Sequence, residues 1–238
     1  MAERRRRHTI SILVLVLVAI GSVWIVMRQG VIPARWSPLP RLSINDPLHF
    51  LIDWQIAELR NDRELCHSVL QGPNISATPL APVAIKDGCG LPNGMRMSSA
   101  GGARLPADRI SCEAAGALAL WMTHAVQPLA QSMLGQKVTS VQHMGTYACR
   151  NIIGSEWLKG VKSQHATGNA IDISAFTLAD GRTISIKQHW TATGPESAFL
   201  KEIHARACHY FRISLSPEFN KAHHDHFHLD RGLFYRCV

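Results

Sequence analysis

The sequence predicts an α+β domain behind a single transmembrane helix, on three observations. Residues 10–27 form an uncharged apolar run long enough to cross a bilayer. Beyond residue 45, helical and strand patterns segregate along the chain instead of alternating, which favours α+β over a parallel α/β sheet. The 238 residues are 46% hydrophobic and 18% charged, enough for one domain with a buried core and too apolar for general disorder. Twelve prolines without a repeat exclude a collagen-like or fibrous chain. The net charge of +8 divides evenly: residues 1–28 hold five arginines against one glutamate, and the remaining 210 residues carry only the other +4. Such a mild surplus argues against nucleic acid as a partner.

Residues 1–9, with Arg4 to Arg7, form a basic tail that the positive-inside rule keeps cytoplasmic. Residues 10–27 are the anchor: the run has no polar face and exceeds a typical secretory core. A cleaved signal peptide is the rival, but the small-x-small candidate Ala19-Ile20-Gly21 lies too deep in the run to be its cleavage site. Residues 28–45 hold Pro33, Pro38 and Pro40 without periodicity and read as a linker, and residues 46–238 as the exported domain. Cysteine usage agrees with export. Cys66, Cys89, Cys112, Cys149, Cys208 and Cys237 all lie beyond the anchor, and none forms a CxxC pair. Three disulfides are expected, with all fifteen connectivities open; six buried thiols are the plainer alternative.

Asp46-Pro47 opens a helix near 47–60 whose stripe is Leu48, Leu51, Ile52, Ile56 and Leu59. A shorter helical piece carries Cys66. Residues 87–108, rich in Gly, Pro and Ser, read as loop and lack the order of a phosphate loop. Ser111 caps a helix with Glu113 in its first turn and Leu118, Trp121, Ala125 and Leu129 on one face; Pro128 interrupts it and Gly135 ends it. Residues 138–142 form a strand. Residues 176–186 read as a hairpin with Asp180-Gly181 as a two-residue turn. Pro195 opens a helix with Phe199, Leu200, Ile203, Ala207 and Phe211 on one stripe, and residues 226–229 form the last strand.

Two segments carry the chemistry. The first runs from Ser163 through His165, Gly168 and Ala170 to Asp172; the second is His223-His224-Asp225-His226-Phe227-His228-Leu229-Asp230. Strand alternation puts His224, His226, His228 and Asp230 on one face, with Phe227 and Leu229 on the other. Imidazole and carboxylate suit Zn²⁺, and three protein ligands with one open position are what a catalytic zinc needs. A histidine strip alone could be a solvated surface, and HExxH is absent. The other histidines, including His67, His124, His143 and His204, have no partner motif and read as structural.

Ser-x-His-x-x-Gly-x-Ala-x-Asp followed by His-x-His resembles the zinc site of the LAS metallopeptidases, the group of lysostaphin, the D-alanyl-D-alanine peptidases and the hedgehog amino-terminal domain. More closely, the chain from about Cys66 onward is similar to the bacterial extensin-like C-terminal domain family. It shares Ile110-Ser-Cys112, Ala117-Leu-x-x-Trp121, Tyr147-Ala-Cys-Arg150, Gly168-Asn-Ala-Ile-Asp172, Ala179-Asp-Gly-Arg182 and Asp225-His-Phe-His-Leu-Asp230. The resemblance implies a hedgehog/D-Ala-D-Ala-peptidase-like fold with a small antiparallel sheet flanked by helices. It implies one Zn²⁺ held by His165, Asp172 and His228, with His226 taking the proton of the attacking water. Arg150 would face the polarised carbonyl or a substrate carboxylate, its plainer reading being a surface ion pair. Ser163 would steady the ligand loop, His224 is a spare ligand, and Asp230 would hydrogen-bond a ligand imidazole. Asp225, at the offset where related peptidases carry a glutamate base, is the weaker candidate for that role. The implied function is a periplasmic zinc hydrolase, held in the inner membrane, that cleaves an amide in peptidoglycan, one involving a D-amino acid. The alternative is a non-catalytic zinc-stabilised module that binds the wall or a protein. The sequence sets neither the bond cleaved nor an oligomeric state.

Overall fold

The computed structural model describes residues 2–31, 36–37, 39–154 and 156–238. Helix α1 (Ala2–Arg28) is continuous, so the basic tail and the apolar run form one rod. Its stretch Arg6–Arg28 is apolar and long enough to cross a membrane, and none of its most apolar window is buried by the rest of the chain. Pro33 and Pro38 of the expected linker lie outside the described residues. The linker's end is not free: Leu42 and Ile44 are buried in the core, Gln55 Nε2 donates to Pro40 O, and His124 Nε2 meets Ile44 O.

Helix α2 (Ile52–Glu58) is shorter than the stripe suggests, because residues 44–51 turn before it and Leu48 and Phe50 face solvent. Helix α3 (Arg63–Val69) carries Cys66 and is capped by Asp62, whose carboxylate accepts from Leu65 N. The largest correction concerns residues 87–108. With β1 (Ser76–Pro79) and β2 (Val83–Lys86) before them, they fold as β3 (Cys89–Leu91), β4 (Gly94–Ala100) and much of β5 (Ala103–Ser111). Met95, Met97, Ala103, Leu105 and Ala107 point inward while Arg96, Arg104 and Pro106 point out, a period-two pattern written in small and unbranched residues. Gly101 and Gly102, both at positive φ, make the turn between β4 and β5.

The sheet is therefore larger than the small one expected. Beyond β5 come α4 (Cys112–Trp121), α5 (Gln127–Leu134), β6 (Val138–Gly145), β7 (Ala170–Leu178), β8 (Thr183–Ser185), α6 (Ile186–His189), α7 (Pro195–Ala207), β9 (Ile213–Leu215), β10 (Phe227–Asp230) and β11 (Arg236–Cys237). Among the described residues nine strands form one sheet in the order β1-β4-β5-β6-β7-β10-β9-β11, with β8 on β7. Most pairs are antiparallel; β5–β6 and β9–β11 are parallel. The β7–β8 turn is one residue longer than expected: Leu178 N donates to Arg182 O, and Gly181 at φ 86° closes a three-residue loop. The α-helical pattern after Ser111 is interrupted ahead of Pro128, as expected. Pro128 sits at the start of α5, after a wide turn over residues 122–126 that absorbs its missing donor.

Helix α4 lies in the core, Trp121 packing edge-on to Phe176 and Phe211 and donating its indole N–H to Ile203 O. The cysteines pair as Cys66–Cys112, Cys89–Cys149 and Cys208–Cys237, with no free thiol. The first ties α3 to α4, the second holds the residue before Arg150 against β3, and the third ties the end of α7 to β11. Each stabilises the fold by about 2–4 kcal/mol.

Candidate metal centre

Strands β7 and β10 pair antiparallel with Asp172 directly opposite His228. Ile171, Ile173, Phe227 and Leu229 occupy the buried face, so alternation turns Asp172 and His228 to the other. His165 arrives from a single 3₁₀ turn, residues 164–167, just before β7. Ser163 caps that turn, its hydroxyl accepting from His165 N. Gly168 ends it at φ 65°, where a Cβ would come 2.8 Å from the Leu91 side chain and 3.2 Å from Ser111 N. A side chain there would push the turn off the sheet and take His165 with it.

His165 Nε2, His228 Nδ1 and the Asp172 carboxylate converge. His165 Nε2 lies 3.3 Å from His228 Nδ1 and 3.1 Å from Asp172 Oδ2, and His228 Nδ1 lies 2.8 Å from Asp172 Oδ1. Donors on a tetrahedral ion with bonds of about 2.0–2.1 Å stand about 3.3–3.4 Å apart, so the set fits Zn²⁺. The opposite ring nitrogens face oxygens: His165 Nδ1 is 3.3 Å from Thr146 O, and His228 Nε2 is 2.9 Å from Asp230 Oδ2. With protons on those outer nitrogens, the inner ones turn two lone pairs and a carboxylate onto one point, the donor set a metal cation takes.

The electrostatics carry the same message. Burial alone would depress the His228 imidazole, but its bonds to Asp172 and Asp230 outweigh that and push it up to about 9. Burial would likewise raise Asp172, yet the bonds from His165 and His228 hold it far below the usual carboxylate range. The cluster recruits positive charge, and a proton on His228 supplies it where no ion does.

The expected single-face strip is only partly realised, because β10 begins at Phe227. Residues 221–223 form a short 3₁₀ turn, and His224 follows it with its Nδ1 on Lys221 O and its ring exposed, turned from the cluster. His226 is buried beside the cluster, its Nε2 3.8 Å from Asp172 Oδ1. Asp225 Oδ1 lies 2.9 Å from His226 Nδ1, and this bond, first among its causes, lowers the Asp225 carboxyl. Arg150 reaches inward to 4.0 Å from Asp172 Oδ2 while staying part-exposed.

Sequence reasoning gave no role to His223, Asn220 or Thr146. The His223 ring lies 5.2 Å from that of His226 and 5.7 Å from that of His228, and Asn220 Oδ1 holds its Nδ1 at 2.7 Å. Burial, then the neighbouring His228 and His226, lower it to about 4. An adjacent pair of histidines within the motif was its signal, but nothing in the spacing says which of the two turns inward. The loop 151–162 borders the same turn, Gly154 lying against Asn220 and Ala222, and presents Trp157 to solvent.

The family model described as extensin-like protein C-terminus matches residues 64–237. That span holds the whole cluster and all six cysteines and leaves out α1 and α2. No curated protein matches the chain, and no solved structure does.

Proposed function

We propose a hydrolytic role for this chain, which belongs to the extensin-like protein C-terminal family: a zinc-dependent peptidase, anchored in the bacterial inner membrane by α1, that cleaves an amide of peptidoglycan from the periplasmic side. The observation that carries the reading is the convergence of His165 Nε2, His228 Nδ1 and Asp172 beside a third imidazole, His226, that Asp225 holds at the edge of the cluster. His165, Asp172 and His228 would hold the ion. A bound Zn²⁺ supplies Lewis acidity toward a water and toward an amide carbonyl.

The protein's own groups account for the proton. Asp225 fixes Nδ1 of His226, leaving Nε2 toward the cluster as the base. There it takes a proton from the attacking water and returns it to the nitrogen of the leaving amine, so amide and water become acid and amine. The guanidinium of Arg150 offers N–H donors to the developing oxyanion or to a substrate carboxylate. The D-amino-acid substrate rests on the likeness of the motif to the LAS peptidases.

The test is mass spectrometry of defined muropeptides incubated with the zinc-loaded chain, together with two variants. His228→Ala is expected to lose zinc by orders of magnitude. His226→Ala is expected to keep about one zinc per chain while turnover falls by roughly 10² to 10⁴. Equal zinc loss in both would make His226 a ligand. Full zinc with no turnover by the unaltered chain, across a broad muropeptide panel, would replace the enzyme with a zinc-stabilised binding module.

A further inference from the structure

Around the end of α1 the domain presents an apolar, aromatic surface that its own core does not use. Phe50 is 90% exposed and Phe234 77%, Leu48, Leu233 and Tyr235 are exposed near them in the chain, and Val31 is exposed just past α1. These residues belong to three segments that converge on one point. The first is the exit from α1, where Gly30 at φ 61° lies so close to α2 that a Cβ would meet Ala57 O at 1.9 Å. The second leads into α2, whose Asp53 accepts from Arg212 and Arg231. The third, residues 232–235, follows Arg231 directly. Arg212 ties all three together: its Nη2 donates to Arg28 O and to Asp53, and its Nη1 to Gly232 O.

We propose that this surface rests on the lipid–water interface of the membrane that α1 spans, so that the domain is docked on the bilayer rather than held off it by a tether. The inference depends on the anchor reading of α1 made above. Two observations select lipid as the occupant. Trp24 lies in the last turns of the apolar run, the level at which aromatic side chains collect at a membrane boundary. The Arg28 guanidinium lies 4.8 Å from the Trp24 ring and 4.7 Å from the Tyr235 ring, so one cation bridges the anchor's boundary residue and the domain's exposed tyrosine. Tyr235 is thereby held at headgroup depth, and Leu233 and Phe234 with it. Single exposed apolar residues need no explanation, but a group of them collected around a membrane exit is placed to bury them in lipid.

Docking has a consequence for the proposed chemistry. His228 is five residues from Leu233, and an extended chain advances about 3.3 Å per residue, so the metal cluster lies within about 17 Å of the docked surface. The substrate amide would then be met within that distance of the membrane surface.

The test uses the full chain, one molecule per nanodisc of phosphatidylethanolamine and phosphatidylglycerol. All six native cysteines are paired, so a single introduced cysteine is the only free thiol for a nitroxide. Labels replace Phe50, Leu233 and Phe234 in turn, with Leu17→Cys in the apolar run and Thr78→Cys on β1, the opposite end of the sheet, as references. Collision with oxygen relative to a water-soluble nickel chelate is expected to be highest at 17, several-fold above the Thr78 value at 50, 233 and 234, and lowest at 78. Three separate labels guard against one variant that misfolds. Values at 50, 233 and 234 equal to that at 78, with 17 in lipid, would overturn docking and leave the anchor standing. Shielding of those three from both reagents would mean a protein contact and would also overturn it. A water-exposed label at 17 would remove the anchor itself.

Discussion

Two buried clusters of charge lie at the two ends of β10, and they differ in how their donors and acceptors balance. Past the strand's end, Arg231 donates to Asp53 and Glu113, Arg212 donates to Asp53, and Arg60 donates to Glu113. Further guanidinium protons go to Tyr210 O, Asp53 O, Gly232 O, Arg28 O, Arg231 O and Gln29 Oε1. Each carboxylate has its cations, and the Arg231 and Arg212 guanidinium groups are bonded on every side that faces the network. Among the described residues, Arg28 Nη2 is the one buried nitrogen there without a hydrogen bond. Within the strand, the only cation among the described residues that Asp172 and Asp230 share is the His228 imidazole, and it carries charge only while protonated. Burial and charge are common to both, so neither marks a site. What distinguishes the second is that its charge balance rests on a titratable imidazole, His228, where the first rests on guanidinium groups that stay charged.

The sharpest way to break the comparison is to remove one partner from each. Arg231 is fully buried, and Arg231→Ala leaves Asp53 and Glu113 short of their shared cation. The expected loss is about 3–5 kcal/mol in a urea titration, the usual result of uncoupling a buried ion pair. In metal-free protein, His165→Ala leaves Asp172 its bond to His228 and should cost less than half as much. Equal losses would mean that the histidine cluster is also a structural network.

Both clusters hold a carboxyl below its ordinary range, Asp53 in one and Asp172 in the other, so both lose stability in acid, and only the histidine cluster adds a loss on the alkaline side. Burial raises the Asp53 carboxyl, but Arg231 and Arg212 outweigh it and hold it at about 2 against a reference of 3.8. Its contribution, about 2 kcal/mol, is present above the unfolded value and lost as pH falls through about 2. Asp53→Asn should remove its share of the acid limb and leave the share that Asp172 contributes. His228 is shifted upward, to about 9. In metal-free protein its contribution is full below the ordinary histidine value and is lost as pH rises through 9, whereas zinc should erase that alkaline limb. Urea midpoints at pH 2–5 and 7–10, with and without zinc, separate the two; a metal-free protein with no alkaline loss would contradict the charge assignment of His228.

The same contrast explains what the sequence made legible. The metal cluster is local: Ser163 to Asp172 and His226 to Asp230 lie on two short segments, and strand alternation orients most of their side chains. The arginine network joins Asp53, Glu113, Arg212 and Arg231, residues up to 178 apart in the chain, and no spacing announces it. Disulfide pairing was silent for the same reason. Residues 87–108 failed differently. Their alternation was present, but Ala, Met and Gly supply little strand propensity, and it is pairing with β1 and between β4 and β5 that makes the sheet. His224 was misplaced on a strand because periodicity extends a pattern past the point where Asn220 caps a turn, its side chain accepting from Ala222 N.

The smallest expected effect concerns Asp225, and it decides what that residue is for. A carboxylate can act as the base, or it can orient a histidine that does. Its bond to His226 Nδ1 lowers the Asp225 carboxyl, and a carboxylate held below its ordinary range is a poor acceptor for a water proton near neutral pH. The geometry therefore gives it the orienting role. Asparagine keeps the shape and can still accept from Nδ1 through its amide oxygen, so Asp225→Asn should lower muropeptide turnover by about tenfold or less, with zinc content and melting temperature unchanged. Asp225→Ala, which leaves Nδ1 without that acceptor, should cost more than asparagine and still retain zinc. If Asp225 were the base, asparagine would be as damaging as alanine and both would reach the roughly 10² to 10⁴ expected of a lost general base. The ratio between the two variants, rather than either alone, assigns the role, because only an orienting residue can be partly replaced by a neutral acceptor of the same shape.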